Sequence, residues 1–133
     1  MKNPIPLSLF LTVLVAAPLA QAHHSFASEF DLNKKVKVTG VVTKLEWQNP
    51  HIWIFVDVKN DDGTVTNWAF SGSSPIQLMR RGIPKKVLQP GTVITVEGSR
   101  AKDGSNNAGA SKVTFQDGRS VFTTVADDPN AKN

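Results

Sequence analysis

Beyond residue 35, apolar and polar positions alternate with period two, the mark of strands that bury one face. Val36 and Val38 share a face, with Lys37 and Thr39 opposite. After Gly40 the inward phase moves to Val41, Thr43, Leu45 and Trp47. A one-residue phase change at a glycine predicts a β-bulge, and a long bent strand from Val36 to Trp47 suits a small closed barrel. Gln48-Asn49-Pro50 breaks the pattern as a turn. From His51 to Lys59 the alternation resumes, with Ile52, Ile54, Val56 and Val58 on the core face. The other face carries His51, Trp53, Phe55 and Asp57, and two aromatics beside a histidine are unusual on a solvated surface.

Asp61-Asp62-Gly63 reads as a hairpin turn into a third strand, Val65 to Ser71, with Trp68 and Phe70 on one side. Ser74 is placed to cap a short helix with Pro75 at its first position. Ile76, Met79 and Leu78 supply its apolar contacts, Gly82 ends it, and Pro84 starts a second short turn to Leu88. The pattern then predicts a fourth strand, Val93 to Arg100, with Ile94 and Val96 inward. Ala101 to Gly109, polar and glycine-containing, reads as a flexible loop. Ser111 to Phe115 alternates again, and Val121 to Val125 returns after an Asp117-Gly118 turn. Three strands, a short helix and two or three further strands give an all-β class with one short helix. The layout is that of a small OB-fold-like Greek-key barrel, with another small barrel or a split sandwich as the alternative.

Met1 to Ala22 is not part of that pattern. Lys2 supplies a positive start, Ile5 to Leu19 is largely apolar, and Ala20 and Ala22 fit a small-x-small cleavage site. The apolar run is shorter than the ~20 residues of a membrane span and is interrupted by Pro6 and Pro18. The expected organisation is a signal peptide at 1–22, an N-terminal arm at 23–35, a barrel domain at 36–126 and a polar tail at 127–133. Phe26 and Phe30 are the arm's apolar anchors. Cleavage implies a periplasmic or secreted protein with no membrane span left.

Composition narrows the chemistry. The chain has 133 residues and formal charge +4, or +3 once Lys2 is removed, an excess spread too thinly to imply nucleic acid. There is no cysteine, so neither a disulfide nor a thiolate metal site is possible. Arg80, Arg81, Lys85 and Lys86 cluster near the short helix. They read first as a solvated face near a helix C-terminus, where cations are favoured, and otherwise as an anion or partner contact.

Several runs together resemble an uncharacterised family of small exported bacterial proteins. They are His23-His24-Ser25-Phe26, Thr39-Gly40-Val41-Val42, Glu46-Trp47, Asn49-Pro50-His51-Ile52-Trp53 and Asn67-Trp68. Leu78-Met79-Arg80-Arg81-Gly82, Pro90-Gly91-Thr92-Val93 and Arg100-Ala101-Lys102-Asp103-Gly104-Ser105 are similar to it too. The resemblance spans almost all of the chain after Ala22 and implies an exported domain of unassigned activity. It brings no catalytic residues, so the chemistry rests on the residues themselves.

Three histidines remain: His23 and His24 at the expected mature N-terminus, and His51 after Pro50. Imidazole suits divalent transition metals, and copper(II) leads the affinity order at nitrogen sites. An N-terminal histidine offers its α-amine and its ring Nδ1 together, and an amine of pKa about 7.7–8.0 gives up its proton to a metal near neutral pH. A ring nitrogen from His51 would complete a T-shaped three-nitrogen copper site resembling a histidine brace. Alternatively His24 binds through amine, intervening amide and ring, with His51 in the fourth place. Against both stand a solvated terminal pair and a His51 that only satisfies a turn carbonyl.

Trp47 and Trp68 read as core. Trp53 and Phe55, with Asn49, are the surface candidates: they stack on a ligand, or lie beneath the arm and draw His23 towards His51. The leading expectation is therefore a periplasmic copper-binding module, a carrier, buffer or delivery protein, whose partners are the metal ion and, as an option, a periplasmic protein. The alternative is a non-metal ligand- or protein-binding module using the Trp53 face. A copper-dependent enzyme ranks last, because a 111-residue domain without tyrosine or thiol offers little further surface or axial chemistry. Ser25 neighbours His24, but no third group completes a nucleophile–base set.

Overall fold

The computed structural model describes residues 28–122. Its elements are β1 (Phe30–Glu46), β2 (Trp53–Lys59), β3 (Val65–Ser71), helix α1 (Pro75–Arg80), a 3-10 turn (Lys85–Leu88), β4 (Val93–Ala101), β5 (Asn107–Phe115) and β6 (Ser120–Phe122). Neighbouring strands run in the order β3-β2-β1-β4-β5-β6 and pair antiparallel. A parallel pairing of Ala69, Phe70 and Ser71 with Asn107, Ala108 and Gly109 joins β3 to β5 and closes a ring of five strands. This is the OB-fold-like barrel that the pattern predicts, with α1 between β3 and β4 and β6 added outside the ring.

β1 serves two sides of the barrel. Its first part pairs with β4 as far as Val41, and from Val41 onwards it pairs with β2. The bulge lies between Val42 and Lys44, three residues after the glycine where the pattern placed it. Val42 is 1 % exposed and Val41 41 %, so the inward phase runs on from Val38 through Gly40 to Val42. Leu45 and Trp47 take it up beyond the bulge. Gly40 answers a different need: a Cβ there would strike the Asp57 carbonyl oxygen and stand 2.7 Å from Val56 Cγ1. The glycine permits close approach of β2 rather than a change of phase.

Two strand starts also differ from the pattern. β1 begins at Phe30, not Val36, and the register with β4 jumps between Phe30 and Lys35, which erases any period over Asp31 to Lys34. Phe30 is 2 % exposed, as an anchor should be, and the Glu29 carbonyl accepts a 3.0 Å bond from Lys102 N–H. β5 begins at Asn107, inside the stretch read as a flexible loop. Ala108, Gly109 and Ala110 are buried there, and the facing Gly98 must lack a side chain, because a Cβ on it would strike the Gly109 carbonyl.

Inside the ring, Ile52, Ile54, Val56, Phe70, Ile94, Val96 and Val113 form the core with Val42. Trp47 and Trp68 pack against it, and Trp68 stacks on Phe70 at 5.7 Å. Ser74 caps α1, accepting from Gln77 N–H at 3.4 Å, with Pro75 in the first turn. The inward residues of α1 are Pro75 and Leu78; Ile76 and Met79, expected as contacts, are 51 % and 55 % exposed. A six-residue helix can touch the barrel along only one line, and Ile83 supplies the remaining contact. The chain turns there at Gly82 (φ 76°), with Gly82 N–H bonded to Met79 O and Ile83 N–H to Leu78 O, a helix stop sealed by the buried Leu78 and Ile83.

Candidate functional site

The turn between β1 and β2 is organised by the residue after His51. Ile52 is fully buried, and its backbone is bracketed by the chain leaving β3. Ile52 N–H donates to Ser73 O at 3.2 Å, and Gly72 N–H donates to Ile52 O at 3.0 Å. His51, one residue earlier, stays exposed at the rim. Its ring is held from the same place, with Nδ1 3.0 Å from Gly72 O.

A carbonyl oxygen only accepts, so Nδ1 carries the proton. In the neutral ring Nε2 then holds the lone pair, and it has no hydrogen-bond partner among the described residues. Metal-bound histidines are commonly fixed in this way, with one ring N–H on a backbone carbonyl and the other nitrogen presented outward. His51 thus does satisfy a turn carbonyl, and it does so with the nitrogen a ligand would not use. Asn49 lies exposed in the same turn, beside a cis Asn49-Pro50 peptide bond.

Trp53 and Phe55 continue from His51 along the outer face of β2, at the two-residue spacing that puts strand side chains on one side. Both are half-buried. In register, Trp53 lies between Glu46 and Ser71, and Phe55 between Lys44 and Ala69. Lys44 Nζ sits 5.3 Å from the Phe55 ring centre and 2.6 Å from Glu46 Oε1. The outer face of β2 is therefore a short aromatic strip with a cation over one ring and His51 at its end.

His23 and His24 lie outside the described residues. Among the described residues no three His, Cys, Asp or Glu side chains gather as a metal-holding group, so His51 belongs to no such group there. The carboxylates with displaced pKa are in distant turns: Asp62, Asp103 and Asp117 are held below 3.8 chiefly by hydrogen bonds from Thr64, Ser105 and Arg119. A shallow cleft lined by Val93, Phe115 and Gln116 contains none of the candidate site residues His51, Asn49, Trp53 and Phe55. The sequence reading missed Gly72, whose carbonyl orients His51. A backbone acceptor leaves no mark in a pattern of side chains beyond the small-residue run Ser71 to Ser74 that breaks the strand.

Among solved structures, the chain is similar to the mitochondrial single-stranded DNA binding protein Rim1 from S. cerevisiae. The TM-score is 0.49 at 12 % identity, over 65 % of this chain and 94 % of that one. No curated protein matches the sequence. The profile of a family of unknown function, DUF6152, matches residues 11–111, and the chain belongs to that family.

Proposed function

We propose that the protein is an exported, periplasmic or secreted copper-binding module. After cleavage behind Ala22, the His23 amine and ring chelate the metal, and His51 Nε2 completes the site; His24 is the competing donor of the terminal pair. The observation that carries this reading is the 3.0 Å tie from His51 Nδ1 to Gly72 O, which turns a lone rim histidine into an oriented donor. Bound copper would be held for transfer to a protein partner, and no catalytic residues are assigned.

The test is copper(II) titration followed by electron paramagnetic resonance on protein exported and processed by a cell. A control retains one extra residue before His23. Tight one-to-one binding with a multi-nitrogen spectrum is expected, abolished in the control and weakened by His51→Ala. Weak binding that is equal in all three forms rejects the copper reading. The half-buried pair Trp53 and Phe55 supports a second reading, a ligand- or protein-binding strip, in which Trp53→Ala abolishes binding and the extra N-terminal residue is harmless.

A further inference from the structure

Helix α1 and the 3-10 turn after it supply no residue to the proposed copper site, yet their surface is unlike the rest of the molecule. Ile76 and Met79 are 51 % and 55 % exposed and adjoin at i and i+3 on the side of α1 turned away from the buried Pro75 and Leu78. Arg80 follows on that side, four residues after Ile76, and Lys85 and Lys86 stand exposed on the next turn. The other large apolar side chains with high exposure, Leu32, Val41 and Val65, lie apart on strands, as isolated exposed residues commonly do.

The charges point the same way. From Ser71 to Thr92 there is no Asp or Glu, against four cations. Lys34, Lys37, Lys44, Lys112 and Arg119 each have a carboxylate within ion-pair distance. Arg80, Lys85 and Lys86 have none among the described residues. An exposed apolar pair beside cations without ion-pair partners is not an enclosed pocket for a small anion, and it lacks the aromatic anchors that favour a protein interface. It has the two features that seat a peripheral surface on a bilayer: aliphatic side chains to enter the headgroup boundary and cations to meet lipid phosphates.

We propose that this excursion, through Ile76, Met79, Arg80, Lys85 and Lys86, docks the protein on anionic phospholipid bilayers. Docking is independent of metal, so metal-free protein is used in the test. Co-sedimentation with equimolar phosphatidylglycerol and phosphatidylcholine vesicles is compared with pure phosphatidylcholine, across a salt titration. The wild type should bind the anionic vesicles and release as salt rises. Replacing Arg80, Lys85 and Lys86 together by Gln should weaken partitioning ~100-fold, at about fivefold per charge. Ile76→Ser with Met79→Ser should weaken it about tenfold, from lost apolar burial. All five side chains are exposed, and an unchanged Tm verifies that the variants fold. Equal binding to neutral vesicles, salt-independent binding by the wild type, or undiminished binding by the charge variant overturns the proposal. So does retention on soluble polyglutamate without vesicle binding, which would assign the surface to an acidic polypeptide.

Discussion

The Asp-Gly turns and the rim beside Gly72 both hold irregular backbone in place, and they draw on opposite sources. At Asp62-Gly63-Thr64 the carboxylate accepts from Thr64 N–H at 2.9 Å and Thr64 Oγ1 at 2.6 Å, with Gly63 at φ 84°. Asp103-Gly104-Ser105 and Asp117-Gly118-Arg119 repeat the arrangement, at 2.9 and 3.0 Å to the backbone N–H two residues on. Each is complete within five residues, closed by backbone bonds to Asn60, Ala101 or Phe115. The turn that carries His51 is instead fixed by Gly72 and Ser73, 21 residues away for the ring tie. A self-contained turn holds wherever it is placed. The His51 turn holds only when the barrel is assembled, and in return it presents a side chain whose orientation is set by the whole fold.

The largest effects should come from glycines that let strands approach. A Cβ on Gly98 would strike the Gly109 carbonyl oxygen and stand 3.0 Å from its carbon, and both belong to paired backbone that cannot withdraw. Gly98→Ala should cost about 3 kcal/mol or more in urea denaturation. Gly63→Ala meets nothing within 4 Å and suffers only the left-handed backbone, so it should cost about 1 kcal/mol. Equal costs would mean that the seam yields as easily as a turn, and the contrast would collapse.

His51 allows a finer cut, because the tie and the proposed ligand use different ring nitrogens. An asparagine amide can donate where Nδ1 does, but it has nothing at the Nε2 position. His51→Asn should therefore keep the bond to Gly72 and stay close to wild-type stability. His51→Ala should lose about 1 kcal/mol, the usual worth of one hydrogen bond. Copper affinity should fall at least ~10-fold in both variants, the least that loss of a supporting contact to a ligand brings. If His51→Asn retains full copper affinity while His51→Ala loses it, the histidine serves the turn and not the metal.

The same contrast explains what could be read from the chain. The Asp62-Gly63 and Asp117-Gly118 turns, the Ser74 cap with Pro75, and the core faces of β2 and β4 are written in neighbouring residues, and they appear where the pattern puts them. What escaped depends on distant partners. Ala108 and Gly109 look like loop until β3 lies beside them, and Gly40 looks like a bulge until the Asp57 carbonyl is seen against it. His51 could be named as a candidate from its type and turn. The direction of its lone pair could not, since that depends on a carbonyl in another segment.

The smallest expected effect is a pH dependence that separates the two regions. Asp62, Asp103 and Asp117 have folded pKa values below 3.8, lowered first by hydrogen bonds from Thr64, Ser105 and Arg119 respectively. A carboxylate that is more acidic in the folded state contributes its stability fully above the unfolded value. The contribution is lost as pH falls through the folded value. Tm should thus be flat in these groups above about pH 5 and fall below pH 4. Replacing all three by Asn should flatten that acid slope and leave the neutral range unchanged. Because the shifts at Asp62 and Asp103 come first from short-range hydrogen bonds, added salt should alter the slope little. Copper capture by an N-terminal amine and an imidazole should fade much earlier, as pH drops below about 7 and protons compete for both nitrogens. A variant lacking the three aspartates should keep that neutral-range loss of copper intact. If the acid slope of Tm persists in it, the turns are not where the acid sensitivity lies.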